Sequence, residues 1–95
     1  MHIFILVAYL DDAKLSSLAL EIGPNEWKVL GRLLGHTCSA LEQLETLYIT
    51  NVGGAIQQML VDWRNRPDAD VNQLITGLIR SNRSDLLRFL KPIRY

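Results

Sequence analysis

The sequence predicts an all-α domain, and three observations predict it. Apolar residues recur at i, i+3, i+4 and i+7 along most of the chain, the period of a helix with one buried face. Side chains able to cap a helix stand just before these segments, and Gly or Pro stands just after them. Outside the N-terminal stub, no stretch of useful length alternates at period two. Six helices with short connections follow, and each must bury its single apolar stripe on the others.

The central helix is expected over 52–66. Val52, Ile56, Met59, Leu60 and Trp63 fall within an arc of roughly 100°, the width of a core-facing stripe. Asn51 is placed to cap its start, and Pro67, which cannot continue the hydrogen-bond ladder, stops it.

Taken in order, Asp11 and Asp12 open the first helix, which runs to about Glu21 with Leu15, Leu18, Ala19 and Ile22 inward. Gly23-Pro24 breaks it. Asn25 is expected to cap the second helix, 26–34, whose inner face is Trp27, Leu30 and Leu34. Gly35 follows in the left-handed position that suits a residue without Cβ. Ser39 and Glu42 form an S-x-x-E capping box for a short third helix, 40–47, with Leu41 and Leu44 inward. Tyr48 to Asn51 is β-branched and non-periodic, and reads as a link. Asp70 with Gln73 makes a second capping box, and Val71, Leu74, Ile75, Leu78 and Ile79 form the stripe of the fifth helix. Asn82 stops it. Asp85 to Leu90 forms the sixth, ended by Pro92.

Ninety-five residues make one domain with a single small core. Ten basic residues balance ten acidic ones, so the cation excess that nucleic-acid binding draws on is missing. The single cysteine, Cys38, forms no internal disulfide and suits a reducing, cytoplasmic setting. Ile3 to Leu10 is apolar but far too short to span a bilayer, and it lacks the positive start of a signal peptide. Residues 1–11 are therefore expected as an apolar extension that lengthens the first helix or packs under the domain, 12–92. The sequon Asn82-Arg83-Ser84 reads as a capping turn rather than a glycan site.

No convincing active site emerges. Cys38 has His36 nearby, yet no third partner would orient a base. Two His and one Cys do not supply the three or four convergent ligands of a metal site. Glu42 and Glu45 read as a solvated face. Gly53-Gly54 lacks the Lys of a phosphate loop. The expectation is no catalytic, cofactor or metal residue.

What remains is surface. Lys28 and Arg32 form a basic flank on the second helix, and Glu42 and Glu45 an acidic flank on the third. Separated patches of opposite sign allow head-to-tail contact between like domains. Val29 and Leu33 occupy outer positions where polar residues are expected, and Val61 lies on the outer face of the central helix.

These residues resemble a death domain. The run Ile22-Gly-Pro-Asn-Glu-Trp27-Lys-Val-Leu30-Gly-Arg-Leu-Leu34-Gly35 is similar to the family's second-helix signature. Leu41 and Leu44 match its paired aliphatics, and Met59-Leu60-Val-Asp-Trp63 its fourth-helix pattern. Val71 to Ile79 and then Arg83-Ser84-Asp85-Leu86 resemble helix five and the start of helix six. The resemblance covers nearly the whole chain. It implies a six-helix antiparallel Greek-key bundle without catalysis, an adaptor joining other death domains in apoptotic or innate-immune signalling. Homotypic pairing, including a homo-oligomer, and heterotypic pairing are both open, and neither nucleic acid nor membrane is an expected partner. It also implies Lys28, Arg32, Glu42 and Glu45 as the foremost contact residues, beside which the outward Val29 and Leu33 are expected from their surface position to add apolar contact. Arg64, Arg66 and Asp68 near the end of helix four, and Arg88 on helix six, come second. Two departures stand out: Gly31 replaces the usual Ala, and Leu33 stands where a charge is common. A small helical DNA-binding domain is the alternative, but its recognition helix would need more cations than the best-patterned helices carry.

Overall fold

The computed structural model describes residues 10–90. Among these residues there are four α-helices and one 3-10 helix, and no strand: α1 Asp12–Leu33, α2 Cys38–Leu47, α3 Val52–Arg64, α4 Val71–Arg80 and the 3-10 helix Ser84–Leu90. The all-α expectation holds. The six expected helices appear as five because the first two share one span, bent at Gly23.

That bend has a clear cause. Gly23 takes φ 74° and ψ 176°, a conformation open to Gly and strained for any side chain. Pro24 then starts the second arm, where its missing N–H is not needed. Asn25 lies inside that arm and is not its cap, a correction to the sequence expectation; Gly23 occupies the turn instead. The carbonyls left over at the end of the first arm are satisfied from far away. Arg83 donates to Ile22 O at 2.9 Å and to Glu21 O at 2.9 Å. Asp11 caps the start, accepting from Lys14 N at 2.8 Å. At the other end Gly35, φ 98°, closes the helix as expected, with His36 N donating to Gly31 O and Gly35 N to Arg32 O.

The cap of α2 is Thr37, whose hydroxyl accepts from Ala40 N at 3.1 Å. The expected box of Ser39 and Glu42 is therefore corrected. Thr37 is already extended, so the helix begins before Ser39 can serve. Asn51 caps α3 as expected, accepting from Gly54 N at 3.1 Å.

The core is centred on α3, which buries Ala55, Ile56, Met59, Leu60 and Trp63 completely. Val52, expected inward, is largely outside it, because Ala55 takes the inward place in the first turn. Val61, expected on the outer face, is half-buried against the core. Trp27 is buried too, and Trp63 satisfies its ring N–H by donating to Gln73 Oε1 at 2.9 Å. Gln73 also completes the expected capping box with Asp70.

Along α4, Val71, Leu74 and Leu78 are buried but Ile79 is exposed, which corrects its inward placement. The helix is rolled so that Gly77 faces α1; a Cβ there would lie 2.8 Å from Leu30 Cδ1. Asn82 ends α4 as expected, and it does so in the left-handed conformation, φ 64°. The closing helix starts one residue early and winds as a 3-10 helix, burying Leu86 and Leu90.

Of the N-terminal extension, Leu10 is buried and its carbonyl accepts from Arg64 Nη1 at 2.8 Å. Residues 1–9 and Pro92 lie outside the described residues. No described helix is long and apolar enough to cross a membrane.

Candidate functional site

The second arm of α1 and the whole of α2 meet over Gly31. An added Cβ at Gly31 would lie 2.6 Å from Leu41 Cδ2, so the glycine that weakens helix propensity admits the Leu41 side chain between the two helices. This close approach sets everything outside it. Lys28 Nζ donates to Glu45 Oε1 at 2.7 Å, and Arg32 Nη1 to Cys38 Sγ at 2.7 Å. Between these pairs lies a groove of about 240 Å³, lined by Lys28, Val29, Arg32, Cys38, Leu41 and Glu42.

Five sequence candidates are therefore brought together: Lys28, Val29, Arg32, Glu42 and Glu45. Val29 is 52% exposed at the crest of α1. Leu33, one turn on along the same outer flank, is exposed too, with its Cβ near Gly77 of α4. One expectation changes. The basic and acidic flanks are not separated patches, because the Gly31–Leu41 contact draws them together and pairs Lys28 with Glu45. Arg32 and Glu42 remain without an ion-pair partner among the described residues.

The second-choice residues sit elsewhere. Arg64 is mostly buried, bonded to Leu10 O and paired with Asp12 at 2.8 Å. Arg66 donates to Leu34 O at 2.9 Å and approaches His36 Nδ1 at 3.2 Å, bracing the loop between α1 and α2. Asp68 is exposed in the turn before α4. Arg88 is exposed on the 3-10 helix, 4.7 Å over the Phe89 ring and 3.9 Å from Glu21.

His36 is turned away from Cys38. Its Nε2 lies 3.0 Å from Met59 O, and its Nδ1 meets the Arg66 guanidinium, which can only donate; the ring is thus neutral with its proton on Nε2. Burial, then the charge of Arg66, lowers its pKa below the ordinary value, against the opposing pull of Met59 O and Asp62. At the far end, Arg83 holds the Asp85 carboxyl below the usual carboxylate range.

Sequence reasoning missed two features. Arg83 reads as part of a capping turn, and nothing local signals that it reaches back some sixty residues to α1. The corner between α2 and α3 presents Leu47, Ile49 and Val52 outward, where the sequence marked only 48–51 as a link and placed Val52 inward. The lack of helical period in 48–51 was the available signal for Ile49.

Neither the curated proteins nor the solved structures yield a match. The family model of the Death domain matches residues 12–94. That span takes in every described helix, both buried tryptophans and the α1–α2 groove, and the chain belongs to the Death domain family.

Proposed function

We propose that this chain is a non-catalytic adaptor module that binds other death domains in apoptotic or innate-immune signalling in the cytoplasm. Membership of the family supports the interaction role. The observation that carries the surface assignment is the crest of the second arm of α1: Val29 and Leu33 stand exposed there while Trp27 and Leu30 of the same arm are buried, beside Arg32 and Glu42, which have no ion-pair partner among the described residues. Exposed apolar residues ringed by charge are what a specific contact needs, with burial for affinity and charge for choice of partner. Lys28 and Glu45 form the edge of this surface, and their ion pair must open or be shared for either to reach a partner. Asp68 and Arg88 are secondary contact residues. Arg64 and Arg66 act as braces of the fold, donating to Leu10 O and Leu34 O. The test is co-purification of a tagged chain with death-domain proteins from its source cell, wild type against a Val29→Asp/Arg32→Glu variant. Retention of every such partner by the variant would place the interface elsewhere.

A further inference from the structure

The fold leaves one sequence motif without a task. Ser39-Ala-Leu-Glu42 has the form of a capping box, but Thr37 holds the cap of α2. Ser39 is exposed, and its hydroxyl has no hydrogen-bond partner among the described residues. Glu42 is exposed as well, with no ion-pair partner among them. No other Ser or Thr of the chain has a carboxylate three residues on. A hydroxyl followed at that spacing by a carboxylate suits an acid-directed serine kinase, whose cleft carries cations for the downstream acid. The first turn of α2 is held by an exposed cap bond, Ala40 N to Thr37 Oγ1 at 3.1 Å. Helix ends of this kind open locally with little free energy, which gives a kinase access to the backbone around Ser39. The neighbouring cation decides what a phosphate would do there. Ser39 follows Cys38, whose Sγ accepts from Arg32 Nη1 at 2.7 Å. Ser39 and Glu42 line one hollow, and Glu42, Cys38 and Arg32 line the α1–α2 groove, so Ser39 stands one side chain from Arg32. A thiol is a weak acceptor for a guanidinium, and a phosphate presents three strong acceptor oxygens.

We propose that Ser39 is a phosphorylation site and that its phosphate takes Arg32 from Cys38. Within a kinase, Ser39 Oγ attacks the γ-phosphorus of ATP. The new O–P bond forms as the bond to the ADP oxygen breaks, the hydroxyl proton passes to the kinase's base, and ADP leaves. The proposal rests on the reading of the α1–α2 surface as the contact with other death domains, and it adds a switch to that surface. The phosphate brings about −1.5 to −2 charges at neutral pH. Arg32 is then matched within its own chain, and excess negative charge stands beside Glu42 at the mouth of the groove. Lys28 is already paired with Glu45, so no cation of that flank takes the place of Arg32. A partner surface that meets Arg32 with a carboxylate is turned away.

The experiment treats the 95-residue chain with a purified acid-directed serine kinase and ATP, and locates the phosphate by mass spectrometry. One phosphate is expected, on Ser39. Ser39→Ala is expected to take none, and Glu42→Gln to take it severalfold more slowly. Phosphorus NMR then follows the phosphate through its second proton. It is expected to titrate below its ordinary value of about 6, because Arg32 favours the dianion, and to move back up in Arg32→Gln. Phosphate on another residue, or a rate on Ser39 that Glu42→Gln leaves unchanged, overturns the site. A titration that Arg32→Gln does not move overturns the capture of Arg32. Finally, the tagged chain, phosphorylated and unmodified, is compared for the death-domain proteins it retains from its source cell. Severalfold weaker retention by the phosphorylated chain is expected, and equal retention overturns the switch. An unmodified chain that retains no death-domain protein instead overturns the reading of the surface, while the mass and phosphorus measurements, which need no partner, decide the site on their own.

Discussion

Lys28 and Glu45 join the second arm of α1 to α2 through a single 2.7 Å ion pair whose side chains are each about half exposed. Solvent screens such a pair, so it contributes roughly 0–1 kcal/mol. Lys28→Ala and Glu45→Ala are each expected to lower stability by less than about 1 kcal/mol, with a coupling of the same order in a double-mutant cycle. Urea unfolding of the four variants measures it. A coupling several times larger would mean that the pair, and not the Leu41–Gly31 packing, holds the two helices together.

Arg83 is expected to matter far more. It donates to two orphan carbonyls of the first arm of α1, to Glu26 at 3.2 Å and to Asp85 at 3.2 Å, and its side chain is only 21% exposed. Arg83→Met removes the donors and leaves Glu21 O and Ile22 O to water or to nothing. Charge-assisted hydrogen bonds contribute about 1.5–3 kcal/mol, and a loss of that size is expected in the denaturation midpoint. Arg83→Lys is not expected to restore it, since one ammonium cannot reach two helix-end carbonyls and two carboxylates in fork geometry. Full recovery with Lys would show that the charge suffices without the fork.

His36 makes stability depend on pH near neutrality. Its folded pKa lies below the unfolded value of 6.5, so the unfolded chain binds the proton more readily. The contribution of the neutral ring is complete above the unfolded pKa and is lost as pH falls through the folded value. Protonation would also turn Nδ1 into a donor facing Arg66, which braces Leu34 O. Urea midpoints are therefore expected to decline as the solution is acidified below the unfolded pKa. His36→Gln is expected to be less stable at neutral pH and to show a flatter profile across that window. An unchanged slope in the variant would assign the acid sensitivity to other groups.

Much of the fold was legible because it is built from local signals. Asn51, Asp70 with Gln73, Gly35 and Asn82 each act within one helical turn, and all four stand where the sequence placed them. The stripes through Leu41 and Leu44, and through Ile56 to Trp63, hold for the same reason: a helix repeats its face wherever it packs. The family's six-helix bundle appears with its first two helices run together, since Gly23 bends the chain within a single residue. What was not legible depended on neighbours. Ile79 left the core because α4 rolled to fit Gly77 against Leu30, and Thr37 displaced Ser39 because the preceding loop was already extended. The pairing of Lys28 with Glu45, and the reach of Arg83, join residues far apart in sequence that no periodicity connects.

Val29 gives the most direct test of function. Its side chain is exposed and absent from the buried core, so Val29→Asp removes no packing. Surface changes of this kind stay within about 0.5 kcal/mol, which at this size is a melting shift of about 2–4 °C. A carboxylate at the mouth of the α1–α2 groove, beside Glu42, would instead repel an apolar partner surface and one of like charge. Loss of death-domain partners is therefore expected from Val29→Asp and from Arg32→Glu, with the far-UV spectrum and melting temperature held. Leu33→Asp tests the next turn of the crest; its Cβ lies near Gly77, so a somewhat larger melting shift is expected there. Binding lost only in variants that also melt early would show that folding, not the contact, had been disturbed. Binding kept by all three stable variants would remove the crest of α1 from the interface.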